Sequence, residues 1–255
     1  MTGDAEARPP RGFAATLGVW LRELAIVVVG ALIASTLLRL FIAQMFVIPS
    51  GSMEHTLEVG DRVAVQKVAG FQRGDVVVFR DTLDWLQSDD QDLGWLRQTL
   101  IFVGLAPDES TKHLIKRVIG VAGDHVTCCD AQARLTVNGV ALNETAYLYT
   151  DSGNGQQVDP STMQFDIVVP AGTIFVMGDH RNASRDSRCY LFDETAGPAG
   201  SMAFIPVENV VGSAIAIVFP FDRMRALSRP DTFGGVPAGG TPPDEPVING
   251  PPIDC

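Results

Sequence analysis

Residues 49–57, Pro-Ser-Gly-Ser-Met-Glu-His-Thr-Leu, mark the point at which the character of the chain changes. A long apolar run ends shortly before them, and short β-branched runs separated by turn residues follow them. Ser52 lies at this junction, between small residues. Because a serine hydroxyl is a weak nucleophile until a base takes its proton, the stretch predicts a nucleophile whose basic partner lies elsewhere in the chain.

The apolar run before this stretch is long enough to cross a bilayer. No residue from Leu24 to Leu38 is charged, and its continuation beyond Arg39 brings the run to about 20 residues, the length that a membrane span needs. We interpret residues 1–19 as a cytoplasmic tail and residues 20–45 as a transmembrane signal anchor. A cleaved signal peptide is disfavoured because the apolar region is too long and no A-x-A site follows it closely. A buried core helix is disfavoured because the run is apolar on all faces.

Basic residues predict the orientation of this anchor. Three arginines precede the run, and Arg39 lies near its far end. The positive-inside rule then places the N-terminus in the cytoplasm and the chain beyond residue 45 outside it. Ser52 follows the run by about ten residues, so even an extended chain keeps it within roughly 35 Å of the bilayer. We therefore expect a single-pass cell-membrane protein whose site faces membrane-tethered substrates.

The chain after Ser52 has the pattern of a mostly β domain. Short alternating or β-branched runs are separated by Gly-Asp and Asn-Gly turns, and helical periodicity is rare. We predict a mostly antiparallel β domain over residues 46–228. The predicted strands are 62–67, 75–79, 113–121, 125–127, 134–137, 165–169, 174–177 and 210–219.

Two segments depart from this pattern. Residues 82–112 contain Trp85 and Trp95 and are interpreted as a partly helical insertion. The insertion either contacts the membrane surface, as amphipathic aromatic segments do, or packs onto the β core, and the second interpretation is favoured. Residues 229–255 are rich in Pro and Gly with little apolar content, so we predict a disordered tail.

Composition excludes some functions. The formal net charge of −11 argues against nucleic acid as a partner, because a phosphate backbone requires a basic surface. The four histidines are scattered, so neither a metal site nor a cofactor is predicted. The cysteines lack the paired spacing of a zinc or redox site. A disulfide between the adjacent Cys128 and Cys129 would be strained, and a disulfide from either of them to Cys189 is the alternative. The disulfide state therefore stays open. The cysteines are Cys128, Cys129, Cys189 and Cys255.

The candidate base is Lys116, within Leu-Ile-Lys-Arg-Val-Ile-Gly. A lysine can take a proton only when neutral, and at its usual pKa of about 10.4 the neutral fraction at pH 7 is about 0.04%. Burial among apolar neighbours lowers the pKa of a lysine. On a strand, Lys116 would share a face with Leu114 and Val118. The ordinary alternative is a solvated lysine at a strand edge.

Four stretches resemble, in order, the conserved boxes of bacterial type I signal peptidases, membrane-bound serine proteases that remove signal peptides. They are 49–57, Gly-Asp-Arg-Val-Ala-Val at 60–65, Lys-Arg-Val-Ile-Gly-Val-Ala-Gly-Asp at 116–124 and Gly-Asp-His-Arg-Asn-Ala-Ser-Arg-Asp-Ser-Arg at 178–188. With the anchor, the resemblance spans about residues 20–220. It implies a mostly β fold, with an antiparallel β-sheet catalytic domain of the signal-peptidase type behind one N-terminal transmembrane helix. It also implies that residues 125–170 form a reduced accessory β region.

The resemblance implies roles for individual residues. Ser52 would be the nucleophile and Lys116 the general base in a reaction through an acyl-enzyme. The backbone N–H of Ser52 and the hydroxyl of Ser50 would form the oxyanion hole. Ser184 would orient Lys116. The remaining roles are a supporting ion pair between Asp186 and Arg188 and a structural role for Arg117.

The resemblance also implies the substrates. The family cleaves preproteins after small residues at positions −1 and −3, the A-x-A pattern. The peptide would lie extended beside residues 46–49 and 113–115, where backbone hydrogen bonds give affinity. We expect the preprotein and the lipid bilayer as partners, and a monomer. The candidate substrate-binding residues are Ile48, Pro49, Met53, Leu57, Leu114 and Ile115.

The chain departs from the family at His180 and Ala183, where asparagine is usual. Three alternatives remain at this point. A soluble self-cleaving repressor-type protease also uses a Ser–Lys pair, but the apolar run argues against it. A non-enzymatic anchored surface protein does not explain four boxes in order. A serine hydrolase with a histidine base would use His55 or His180, and separate replacement of Lys116 and His180 discriminates these.

Overall fold

A computed structural model describes residues 13–41, 43–86 and 113–250. The chain divides into two units, Met1–Ile42 and Ala43–Cys255. The first contains an α-helix, α1, and the second contains two antiparallel β-sheets. The described residues therefore confirm the prediction of a mostly β fold behind an N-terminal helix.

Helix α1 spans Phe13–Phe41, and by length and composition its segment Leu17–Ser35 is long and apolar enough to cross a membrane. The helix begins inside the predicted polar tail. It ends before residue 45, where the anchor was predicted to end, because Ala43–Val47 form a strand of the β unit. The helix bounds therefore differ from the predicted bounds of tail and anchor, which stay a prediction because a helix can extend beyond a membrane span. Every residue from Leu17 to Ser35 is exposed, which contradicts the alternative of a buried core helix.

The strands of the two sheets are β1 Ala43–Val47, β2 Arg62–Gln66, β3 Val76–Arg80, β4 His113–Val121, β5 His125–Cys128, β6 Thr136–Val137, β7 Val140–Ala141, β8 Phe165–Val168, β9 Thr173–Met177, β10 Ile205–Pro206, β11 Val210–Phe219, β12 Arg225–Ala226 and β13 Val247–Asn249. The larger sheet has the strand order β1-β2-β11-β3-β4-β9-β10, with β12 paired to β11, and the smaller has the order β13-β8-β5-β6-β7. All pairings are antiparallel. Short 3₁₀ turns occur at Gly51–Met53, Arg181–Ala183, Ser187–Tyr190, Val207–Asn209, Phe221–Arg223 and Asp231–Gly235.

The Asn-Gly signal in the sequence is a two-residue hairpin turn between β6 and β7. Asn138 and Gly139 both have positive φ, 51° and 78°, and Val137 pairs with Val140. Such turns require positive φ at both central residues, which asparagine and glycine tolerate best. Local turn chemistry thus predicted this hairpin correctly.

Buried apolar side chains of the described residues form two clusters. The larger includes residues of both sheets, such as Val118, Phe175 and Ile167. The smaller is centred on Met53 and Leu57, which are fully buried. This second cluster therefore fixes the chain immediately after Ser52.

Trp85, at the start of the predicted insertion, packs onto the β core. Its ring stacks on Tyr190 with the centroids 4.7 Å apart, and its Nε1–H donates to the carbonyl of Met202 at 2.9 Å. Here the core-packing interpretation is confirmed. The rest of the insertion, residues 87–112 with Trp95, lies outside the described residues.

The prediction of a disordered tail was wrong for residues 229–250. Phe233 and Val236 are buried in the larger cluster, and β13 pairs with β8 in the register Val247↔Val168. The N–H of Gly240 also donates to the carbonyl of Gly123. A few well-placed apolar side chains and backbone hydrogen bonds order this segment despite its composition.

The described cysteines are all in disulfides. Cys128 is joined to Cys129, and Cys189 is also disulfide-bonded. The adjacent pairing is therefore the alternative that the structure contains.

Candidate active site

Ser52 lies in the 3₁₀ turn Gly51–Met53 that follows β1, and only 7% of it is exposed. The N–H of Glu54 closes the turn by donating to the carbonyl of Gly51 at 3.0 Å. After the turn, the N–H of Leu57 donates to the carbonyl of Met53 at 2.8 Å. Because Met53 and Leu57 are fixed in the core, the position of the Ser52 hydroxyl is set by packing on one side of the turn.

Lys116 lies on β4 and is only 3% exposed. Strand β4 pairs with β3 on one side and with β9 on the other, so it is an inner strand of the sheet. Its buried residues form a nearly continuous run, which makes the alternative of a solvated edge lysine wrong. The Nζ of Lys116 donates a hydrogen bond to the hydroxyl oxygen of Ser52.

Burial lowers the pKa of Lys116 from its ordinary value to about 8. The desolvation of the ammonium is the main cause, and the carboxylates of Asp186 and Asp179 oppose it while Arg188 adds to it. With a pKa of about 8, the neutral fraction at pH 7 is about 10%, against about 0.04% for an ordinary lysine. The site therefore holds a lysine that can accept a proton near neutral pH.

Residues 178–188 pack directly against the serine. A Cβ on Gly178 would lie 2.5 Å from the carbonyl oxygen of Ser52 and 2.5 Å from the Cβ of Ser184, so only glycine fits. The N–H of Gly178 donates to Asp186 at 2.9 Å. The close approach of these two segments thus depends on the missing side chain.

Asp186 and Arg188 form a buried ion pair, as the resemblance implied. Arg188 donates from Nε and Nη2 to the two carboxylate oxygens, each at 2.8 Å. Burial alone would raise the pKa of Asp186, but Arg188 and the N–H of Gly178 outweigh it and hold that pKa below its ordinary value. The carboxylate is therefore ionised beside Lys116.

Ser184 has a different partner from the one expected. Its hydroxyl donates to Asp186 at 2.8 Å, and among the described residues it makes no hydrogen bond to Lys116. A hydroxyl that donates to Asp186 can still accept a hydrogen bond from Lys116, so the orienting role of Ser184 stays a prediction. Ser184 and Lys116 are both buried.

Arg117, next to the lysine, is held in a second buried ion pair. Its Nε and Nη2 donate to the two oxygens of Asp179 at 2.8 and 2.6 Å, and its Nη1 donates to the carbonyl of Gly74 at 2.6 Å. Thr56 donates to the same carboxylate, and the guanidinium lies 4.3 Å from the centre of the Tyr147 ring. These contacts join β4, the start of the 178–188 segment and the chain after Ser52.

Ser50 precedes the turn in an extended backbone conformation, and it is exposed. Its hydroxyl and the N–H of Ser52 are the expected oxyanion donors, and this role stays a prediction. No described contact fixes the Ser50 side chain at the N-cap of the turn.

The predicted substrate-pocket residues divide into three groups. Four of them lie in the smaller apolar cluster: Ile48, Met53, Leu57 and Ile115. Leu114 packs against the larger cluster instead, because adjacent strand residues point to opposite faces of the sheet. Pro49 is exposed.

Two strands near Ser52 each have an edge at which no described strand is paired. Strand β1 is the outermost strand of the larger sheet, and β9 pairs with β4 only from Arg117 onward. Residues 113–115 of β4 are therefore paired among the described strands only with β3. The rings of Phe46 and His113 lie 5.0 Å apart, so the two edges approach one another.

Sequence reasoning missed a cluster around His180. The ring stacks on Tyr149 with the centroids 3.8 Å apart, and its Nδ1 lies 2.9 Å from the carboxylate of Glu54. The unusual histidine was a signal in the sequence, but nothing local indicated Tyr149 or Glu54 as its neighbours. The ring of His180 therefore faces the chain segment around Ser52, which is called the nucleophile turn below after its proposed role.

The chain is similar in sequence to known proteins. A family model described as signal peptidase, peptidase S26, matches residues 21–219. Signal peptidase I of Mycobacterium tuberculosis is 36% identical over 233 residues, which cover 80% of this chain and 74% of the relative. The probable signal peptidase I of Mycobacterium leprae is 35% identical over 246 residues, covering 85% and 79%. A solved signal peptidase I from Enterococcus faecalis has 23% identity and a TM-score of 0.35, covering 57% of this chain and 97% of that one.

Proposed function

The chain belongs to the signal peptidase family, peptidase S26, which cleaves signal peptides from preproteins, and we propose that Ser52 and Lys116 perform this cleavage through an acyl-enzyme. The observation that carries the proposal is the buried hydrogen bond between the Nζ of Lys116 and the hydroxyl of Ser52. The lowered pKa of Lys116 supports it, because a neutral amine is required.

In the proposed reaction, neutral Lys116 accepts the hydroxyl proton of Ser52 while the serine oxygen attacks the scissile carbonyl. The oxyanion that forms is held by the N–H of Ser52 and the hydroxyl of Ser50. The ammonium of Lys116 then gives its proton to the leaving amine, and the signal peptide stays attached to the serine as an ester. Lys116 next takes a proton from a water molecule, whose oxygen attacks the ester carbonyl. The ammonium of Lys116 returns this proton to the leaving oxygen of Ser52, which releases the signal peptide as a carboxylic acid and restores the enzyme.

A histidine base is the competing mechanism, and the geometry disfavours it. The Nδ1 of His180 contacts the carbonyl of Gly51 and the carboxylate of Glu54, whereas the hydroxyl of Ser52 is bonded to Lys116. A general base must be within hydrogen-bonding reach of the proton that it removes. Lys116 meets this requirement.

We propose that the preprotein binds as an added strand between β1 and residues 113–115 of β4. Both edges carry backbone groups that an extended peptide can bond. The side chains of Ile48, Met53, Leu57 and Ile115 are buried in the smaller apolar cluster, which includes the residue after Ser52. This burial supports the proposal that the substrate carries small residues at positions −1 and −3.

A substrate series tests the pocket. Replacing alanine by valine at position −1 of a model preprotein is expected to lower kcat/KM by roughly tenfold to hundredfold, because the added methyl groups clash with a packed wall. The same change at position −2 serves as the control, since alternate residues of an extended peptide point away from each other. Equal losses at −1 and −2 would contradict the pocket.

The pH dependence tests the base. Protonated Lys116 cannot accept a proton, so activity is expected to rise with pH as the lysine loses its charge. Because the pKa of Lys116 is about 8, activity levels off once the pH exceeds that value. Below about pH 7, kcat/KM is expected to fall about tenfold for each pH unit. The measurement is preprotein cleavage between pH 5.5 and 9.5, with samples returned to pH 9 to exclude loss of folded enzyme. A flat profile from pH 6 to 9 would rule out a titrating lysine base.

The enzyme is membrane-anchored, as the family and helix α1 together indicate. We further propose that the N-terminus is cytoplasmic and the catalytic unit extracytoplasmic, with the protein acting as a monomer. The arginines before the apolar run support this orientation.

A further inference from the structure

His180 makes two contacts to the nucleophile turn through one ring nitrogen. Its Nδ1 lies 3.2 Å from the carbonyl oxygen of Gly51 and 2.9 Å from a carboxylate oxygen of Glu54. Both partners are acceptors, so Nδ1 must carry a hydrogen in either charge state of the imidazole. The tautomer of His180 is thereby set by its neighbours.

The backbone of His180 contacts the same turn. Its N–H donates to the carbonyl of Ser52 at 3.1 Å, so this one residue binds the carbonyls on both sides of the serine Cα. The ring is mostly buried and lies almost parallel to the ring of Tyr149, with 20° between the planes. Stacking and the backbone bond together hold the imidazole against the turn.

The carbonyl of Gly51 belongs to the same peptide unit as the N–H of Ser52. A peptide unit is planar, so a group that fixes the direction of its C=O also fixes the direction of its N–H. The hydrogen bond to the oxygen also polarises the unit and strengthens the N–H as a donor. The Gly51 carbonyl accepts from the N–H of Glu54 and from the ring of His180, so His180 adds a second bond at the opposite end of the amide that carries the proposed oxyanion donor.

We infer that His180 is a positioning residue: its Nδ1–H orients the Gly51–Ser52 peptide so that the N–H of Ser52 points at the developing oxyanion. This role rests on the proposed function, because it acts on the proposed oxyanion donor. Glu54 assists by keeping the hydrogen on Nδ1. Among the described hydrogen bonds, His180 binds backbone carbonyls of the turn and not the hydroxyl of Ser52, so it would act through the peptide.

Two matched variants, His180→Asn and His180→Gln, test whether the Nδ1 position of His180 is the one that matters. In asparagine the amide nitrogen is as many bonds from Cα as Nδ1 of histidine, whereas in glutamine it matches Nε2. His180→Asn keeps a donor facing Gly51 and is expected to retain kcat within about threefold of the wild type. His180→Gln and His180→Ala are expected to lower kcat by roughly tenfold to hundredfold with KM nearly unchanged, because the interaction matters in the transition state.

The full-length enzyme in detergent is assayed with a model preprotein, and the thermal midpoint of each variant is measured beside kcat and KM. Equal losses for His180→Asn and His180→Gln overturn the inference in favour of ring stacking, and an unchanged His180→Ala overturns it outright. A loss that follows the thermal midpoint rather than the donor position also overturns it. Wild-type enzyme that cleaves no preprotein, or Ser52→Ala that still cleaves it, refutes the proposed function and the inference with it.

Discussion

Ser52→Ala and Lys116→Met are each expected to lower preprotein cleavage by roughly 10³- to 10⁶-fold, because the nucleophile and its base act as a unit. Methionine fills most of the space of the lysine stem without supplying a base, so Lys116→Met removes the chemistry with little loss of packing. The double variant is expected to be no worse than either single variant, since neither group works without the other. The measurement is single-turnover cleavage by full-length enzyme in detergent.

A further variant controls for the effect of a serine replacement as such. Ser152→Ala changes an exposed serine, so it is expected to cleave within about twofold of the wild type. Lys116→Met that keeps a tenth of the wild-type rate would place the base elsewhere, and His180 would be tested next. Ser52→Ala that keeps such a rate would remove the serine mechanism.

Asp179→Ala is expected to destabilise the folded enzyme by about 3–5 kcal/mol, because it leaves the buried guanidinium of Arg117 without its counter-charge. Arg117 makes two bonds to this carboxylate, and neither partner has access to water. Thr56, which also donates to the carboxylate, loses its acceptor. The free energy of unfolding is measured by urea denaturation of the full chain in detergent.

Arg134→Ala is the matched control, since it removes an exposed ion pair with Asp130 at 2.7 Å. Exposed pairs are screened by water, so stability is expected to change little. If Asp179→Ala is no less stable than Arg134→Ala, the ion pair between Arg117 and Asp179 does not stabilise the packing of β4 against the chain after Ser52.

The parts of the fold that could be predicted depend on local sequence. The bounds of β4 and β11 agree with the runs of β-branched residues. The Asn138-Gly139 turn follows from the backbone preferences of these two residues alone. The order of strands in the sheets is a non-local property. Nothing in the run Val210–Phe219 indicates that it inserts between β2 and β3.

The C-terminal segment shows why composition misled. Its Pro and Gly content is that of a disordered chain, but Phe233 and Val236 enter a core built by residues far away in sequence. Two apolar side chains do not raise the average of a 27-residue window, although they are enough to anchor it when the core provides a place for them. Composition therefore fails here because it does not report which side chains become buried in the folded state.

The proposed catalytic pair could be predicted from local sequence, whereas most contacts around it could not. Ser52 and Lys116 could be named because they stand in motifs, whereas the contact of His180 with Gly51 joins residues 129 positions apart. The motif did not indicate that the hydroxyl of Ser184 donates to Asp186, two residues away. Motifs identify reacting groups, and the hydrogen bonds that orient them depend on the fold.

The pairing of β13 with β8 orders events during synthesis. Val168 leaves the ribosome long before Val247, its partner in the sheet, so the outer edge of β8 remains unpaired until the end of the chain has been made. An open strand edge is a template for pairing with other chains. Nascent chains that terminate before residue 247 keep this edge open permanently, and such truncated products are expected to self-associate and to be cleared by proteases sooner than the finished protein.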